Sequence, residues 1–115
     1  MELGTPSLKI IRLAEAVSAE LKGRQSGHCI RIDHLDLTEC RQACSELRKV
    51  ADADVAAFVL GQDEDELHVP VDRAIELRNR KSSRLCIFVP ANLQDVAASS
   101  LGNSFSAFPL AKFLN

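Results

Sequence analysis

The chain has no tryptophan and no tyrosine, one methionine, four prolines and five glycines in 115 residues. Single-stranded nucleic acid is held by aromatic side chains stacked within a basic groove. Here acids outnumber bases, sixteen to fourteen, and the only aromatics are five Phe placed in apolar runs or in the tail. Direct nucleic-acid binding by this domain is not expected. The glycines stand at 4, 23, 27, 61 and 102, each near a predicted element end, and neither a GxGxxG nor a GxxxxGK(S/T) loop occurs. That argues against a conventional ATP or dinucleotide site, so no cofactor is expected. No segment approaches the ~20 apolar residues that cross a bilayer. Met1-Glu2-Leu3-Gly4-Thr5-Pro6 lacks a basic region followed by an apolar run. A cytoplasmic protein without a membrane contact is the expectation.

What is present describes a globular chain. Apolar residues make up 46%, charged residues 26%, and the formal net charge is −2. This excludes a disordered tail, a collagen-like fibre and a strongly basic module. Folding at this length hides roughly 65% of the unfolded surface, enough for one core without staples. The four cysteines, Cys29, Cys40, Cys44 and Cys86, fall inside strand-like runs or on one predicted helix. They read as reduced thiols, not as a disulfide framework.

Hydrophobic periodicity places the elements. Ile10, Leu13, Ala14, Val17 and Leu21 recur at helical spacing, with Thr5 as the expected cap, Pro6 in the first turn and Gly23 as the stop. His28–Asp33 alternates Ile30 and Ile32 with Arg31 and Asp33, a strand with one wetter face near a sheet edge. Asp36 and Glu39 form a capping-box pair ahead of a helix over 37–50, whose apolar face is Leu37, Cys40, Cys44, Leu47 and Ala51. Asp54–Leu60 and Arg84–Val89 are nearly unbroken apolar runs, as strands buried on both faces require. A helix over 71–80 lies between them, and Asn92 and Asp95 are the expected caps of a last helix ended by Gly102. The fold class is α/β: a short, mainly parallel, three-stranded sheet flanked by helices. One domain spans 1–115, with a helix over 5–23, a βαβαβα unit over 28–103 and a Phe-rich tail over 104–115. Three strands make a small sheet, and a longer protein or a partner is expected to cover what it leaves open.

Several groups of residues bear on chemistry. Asp63-Glu64-Asp65-Glu66 follows a strand's carboxyl end, where α/β folds place ligands, but consecutive acids read first as a solvated loop. His34, Cys40 and Cys44 lack the paired C-x-x-C spacing of a zinc site, and the two thiols share an apolar stripe with Leu37 and Leu47. No metal site is expected. No Cys or Ser is placed beside a base by the sequence, so no catalytic residue is assigned. Ser99-Ser100 is expected to bond the preceding helical turn. Arg73, Arg78, Arg80, Lys81 and Arg84 concentrate positive charge, diluted by Asp72 and Glu76. Phe105, Phe108, Leu110, Phe113 and Leu114 are too apolar for a free end: they either fold back onto the sheet or dock into another chain.

Residues 74–105 carry a resemblance. Ala74-Ile75-Glu76-Leu77-Arg78-Asn79-Arg80, then Leu85-Cys86-Ile87-Phe88-Val89-Pro90, then Ala97-Ala98-Ser99-Ser100-Leu101-Gly102-Asn103-Ser104-Phe105 resembles the N-terminal region of large bacterial ATP-binding proteins. These have FtsK/HerA-like motor domains and belong to DNA restriction and anti-phage defence systems. The resemblance implies a non-catalytic amino-terminal domain that positions a motor lying downstream, recruits subunits or helps it oligomerise. The expected function is protein–protein interaction or self-association, through Phe105, Phe108, Phe113, Arg78 and Arg80. The alternative is a small α/β ligand-binding or enzyme domain, with Asp36, Asp63, Glu64, Asp65 and Asn92 around a crevice at the strand ends.

Overall fold

In the computed structural model, which describes residues 4–111, the first helix, α1, spans Leu8–Lys22. Its cap is Ser7, not Thr5: the Ser7 hydroxyl accepts from the Ile10 N–H at 3.3 Å. Ile10, Leu13, Ala14, Val17 and Leu21 form its buried stripe. β1 (Cys29–Leu35) follows, then α2 (Leu37–Val50), which starts with the full reciprocal capping box between Asp36 and Glu39. β2 is Val55–Leu60, β3 His68–Val69, α3 Val71–Arg80 and β4 Arg84–Pro90. A 3-10 turn over Ala91–Leu93 leads into α4 (Gln94–Ser100), and β5 is Ser106–Ala107.

The sheet has five strands, not three, in the order β3-β2-β4-β1-β5, and every neighbouring pair is parallel. The two strands beyond expectation are two residues each, too short to show a period. They exist because backbone groups at the sheet margins find partners there, and those partners are set by tertiary structure. As a result β1 is bordered by β5 and does not itself form the edge. The caps expected at Asn92 and Asp95 do not form, because α4 begins behind the 3-10 turn with no side-chain cap.

Helices cover both faces. Alternation along β4 sends Cys86 and Phe88 to one core, with α1 and α2, and Leu85, Ile87 and Val89 to the other, with Ala74 of α3 and Ala97 of α4. All seven residues of β4 are buried, which explains its continuous apolar run. At the amino end of β4, Arg84 is 7% exposed. It donates to the Leu21 carbonyl at 2.7 Å and pairs with Asp52 and Asp54. Helix α1, the α2–β2 turn and the sheet therefore meet at one guanidinium.

Candidate functional site

β1 and β4 are neighbours, yet the chain leaves β1 toward α2 on one face and leaves β4 toward α4 on the other. Such a reversal opens a crevice at the carboxyl ends of an open parallel sheet. Directly between β1 and β4 it is bridged, since the His34 N–H donates to the Gln94 side-chain carbonyl at 3.3 Å. The open space lies beside that bridge, over β2 and β4, as a cleft of about 300 Å³. Leu60, Gly61 and Pro90 reach it from the strand ends, and Leu37 and Arg41 from the first turns of α2. Asn92 and Leu93 come from the 3-10 turn, Gln62, Asp63 and Asp65 from the β2–β3 connection, and His68 from β3. A second cavity of about 670 Å³ runs along α2 past Ser45, Arg48 and Lys49, and shares Arg41, Asp65 and His68 with the first.

Three of these side chains form a hydrogen-bonded chain. An Asp65 oxygen accepts from the backbone N–H of His68 at 2.7 Å and of Leu67 at 2.8 Å. The His68 Nδ1 lies 3.1 and 3.2 Å from the two Asp65 oxygens. These donors, the His68 backbone first, hold the Asp65 carboxyl down at about 2. On the far side of the ring, Arg41 Nε donates to His68 Nε2 at 3.3 Å. A guanidinium only donates, so Nε2 accepts and the ring proton sits on Nδ1, facing Asp65. Gly61 makes room for this ring: a Cβ there would stand 3.2 Å from His68 Cδ2.

Of the crevice residues anticipated from sequence, Asp63, Asp65 and Asn92 line the cleft. The other two are occupied elsewhere: Asp36 caps α2, and Glu64 lies 3.7 Å from Arg73. Arg41 and His68 were not anticipated. In sequence Arg41 looks like any cation on a solvated helix face, and His68 belongs to a strand only two residues long. The one available signal was the carboxyl end of β2 itself, which locates the neighbourhood without its partners.

The residues assigned to a partner surface are placed differently. Phe105 is 2% exposed inside the second core, Leu110 is 4% exposed in the first, and Phe108 is half-buried against it. The described part of the tail folds back, so Phe105 is a core side chain and Phe108 packs half-buried against the core. Phe113 lies outside the described residues. Arg78 donates to Ser104 Oγ at 2.8 Å and to the Asn79 side chain, and Arg80 donates to Glu76 at 2.8 Å. Arg73 is also paired to Glu76, so two of these arginines share one exposed carboxylate on a helix surface.

Burial accounts for the thiols. It pushes Cys40 and Cys44 up to about 12 and raises Cys86 well above its usual value. They stay protonated and pack as small apolar groups. Among the described residues no three His, Cys, Asp or Glu side chains are grouped to hold a metal ion. Among the same residues no helix is long and apolar enough to cross a membrane. Ser99 Oγ donates to the Asp95 and Val96 carbonyls, the local bonding expected of a late helical serine. In comparisons with protein families, curated proteins and solved structures, nothing matches this chain.

Proposed function

We propose that the chain is a non-catalytic binding domain whose ligand occupies the cleft at the carboxyl ends of β2 and β4. The observation that carries this reading is convergence: Arg41, Asp63, His68 and Asn92 come from three separate segments to one concave site. That site lies where open parallel sheets take ligands, and its size is at the small end of ligand pockets. Its chemistry favours holding over turnover. Both His68 ring nitrogens are engaged by Arg41 and Asp65, which makes the ring a holding element of the site. A thermal-shift panel of nucleotides, Mg²⁺ and small organic acids tests the proposal. A ligand of the native state stabilises it by mass action, by about 2.7 kcal/mol at a hundred times its Kd. At least one class is expected to raise Tm, and Asn92→Trp, which fills the cleft, is expected to abolish that rise. A flat response across the panel refutes the reading.

A second reading, assembly within a bacterial DNA-defence ATPase complex, draws on the resemblance over 74–105 and on one structural observation. The sheet face bearing α3 and α4 is thinly roofed. Each of those helices fully buries a single residue, Ala74 or Ala97, while Phe58, Ile75 and Leu77 stay half-buried and Val96 is 44% exposed. Arg78 and Arg80 on α3 remain the proposed polar contacts of that surface. Light scattering over a concentration series separates the outcomes. Self-association that Val96→Asp and Ile75→Asp weaken supports assembly, and a monomer at every concentration removes self-association from it.

A further inference from the structure

Resting on the binding reading above, we infer that the cleft receives the carboxylate of a small amino or hydroxy acid, gripped by the two Nη groups of Arg41. The starting point is how the arginines are satisfied. Arg24, Arg31, Arg73, Arg80 and Arg84 each pair with a carboxylate. Arg48 gives Nε and Nη2 to the Ala57 carbonyl, and Arg78 uses Nε, Nη1 and Nη2 on Asn79 and Ser104. Arg12 is exposed and has no hydrogen bond or ion pair among the described residues, and Arg41 differs from all of these. It is half-buried, it gives Nε to His68, and it makes no ion pair among the described residues. A guanidinium that is partly desolvated, with its terminal fork uncommitted, matches the two oxygens of a carboxylate.

The neighbouring acid does not neutralise it. Asp65 is held by two backbone donors and the imidazole, so its oxygens serve the β2–β3 connection. What Asp65 does for Arg41 is indirect. It fixes the proton on His68 Nδ1, which leaves Nε2 to hold Arg41 Nε and so restrains the rest of the guanidinium. Asp65 and His68 are thus positioning residues and Arg41 is the receptor.

The surroundings select a carboxylate over a phosphate. Phosphate sites use several backbone N–H groups, often at a helix start. The start of α2 is closed by its own Asp36–Glu39 box and carries the Glu39 carboxylate. Asp63 lines the same cleft, which opposes a dianion and provides an acceptor for an amino or hydroxyl group next to the ligand's carboxylate. Leu37, Leu60 and Leu93 offer apolar contact to a short carbon chain.

The test is ¹H–¹⁵N NMR of the full chain, following the Arg41 Nε–H and Gly61 amide signals. The probes are L-leucine, 2-hydroxyisocaproate, L-leucinamide and inorganic phosphate. Either acid is expected to shift both signals saturably and leucinamide is not, and Arg41→Lys is expected to weaken the acid at least about tenfold while its amide spectrum stays folded. Leucinamide acting as well as leucine overturns the inference, because Arg41 is then not the receptor. Phosphate acting where the acids do not overturns it in favour of a different anion. If no probe moves Arg41 but the thermal-shift panel still yields a ligand blocked by Asn92→Trp, the inference falls and the binding reading stands. If that panel is also flat, both fall.

Discussion

Three donors converge on Asp65, although its side chain is 61% exposed, and so its carboxyl is held at about 2. The pH dependence follows from the sign of that shift. A carboxyl lowered on folding stabilises the native state fully above its unfolded value near 4, and that contribution is lost as pH falls through the folded value. Following the Asp65 carboxyl carbon by NMR is expected to give a midpoint near 2, and Asp65→Asn is expected to remove this share of the acid dependence. A midpoint near 4 means that the clamp on the β2–β3 connection is not made in solution. At this scale the sequence points to Asp63, Asp65 and Asn92, because strand ends in an α/β chain are where ligands sit. Nothing in the sequence points to Arg41 and His68, because which cation meets which imidazole across 27 positions is decided by packing.

Among the elements, legibility tracked length and periodicity. Helices α2 and α3 lie where their patterns place them, and β2 and β4 depart from their expected bounds by one residue. The starts of α1 and α4 were misplaced because several hydroxyl, amide and carboxylate side chains stand near each, and only backbone geometry chooses among them. The tail shows the deeper difficulty. Five apolar residues near a terminus look the same in sequence whether they cover their own sheet or another chain. In the structure Phe105 is enclosed beside Leu101 and Ala97 in the second core. Phe105→Ala is therefore expected to cost about 3–5 kcal/mol in urea unfolding. Leu8→Ala, at a side chain 60% exposed, is expected to change stability by less than about 0.5 kcal/mol. Equal, small effects from both would return Phe105 to the surface.

Across the whole molecule the α/β class was plain from the alternation of strand and helix, while strand order and number were not. Order depends on which hydrophobic runs pair, and β2 and β4 carry nearly the same pattern. Arg84 is what joins the layers at the lower end of the sheet. Its position beside an apolar run made it look like the last of a surface cluster, yet it is among the most enclosed charges in the chain. Arg84→Met keeps the side chain's bulk but removes its bonds to Leu21, Asp52 and Asp54. It is expected to lower Tm by roughly 5–10 °C in calorimetry. An unchanged Tm means that water replaces those bonds without loss.

The central place of β4 has a consequence for how the chain is made. Cys29 of β1 lies opposite Leu85, and Val55 of β2 lies opposite Arg84, so neither strand touches the other and both are held by β4. During synthesis α1, β1, α2 and β2 emerge first, each with an apolar face, and none of the sheet's central ladder exists until residues 84–90 have left the ribosome. Those contacts span more than fifty residues for β1, which makes their formation slow relative to the helices. A nascent chain paused before Arg84 carries two exposed β-strands with no partner between them, the form most open to chaperones and to mispairing.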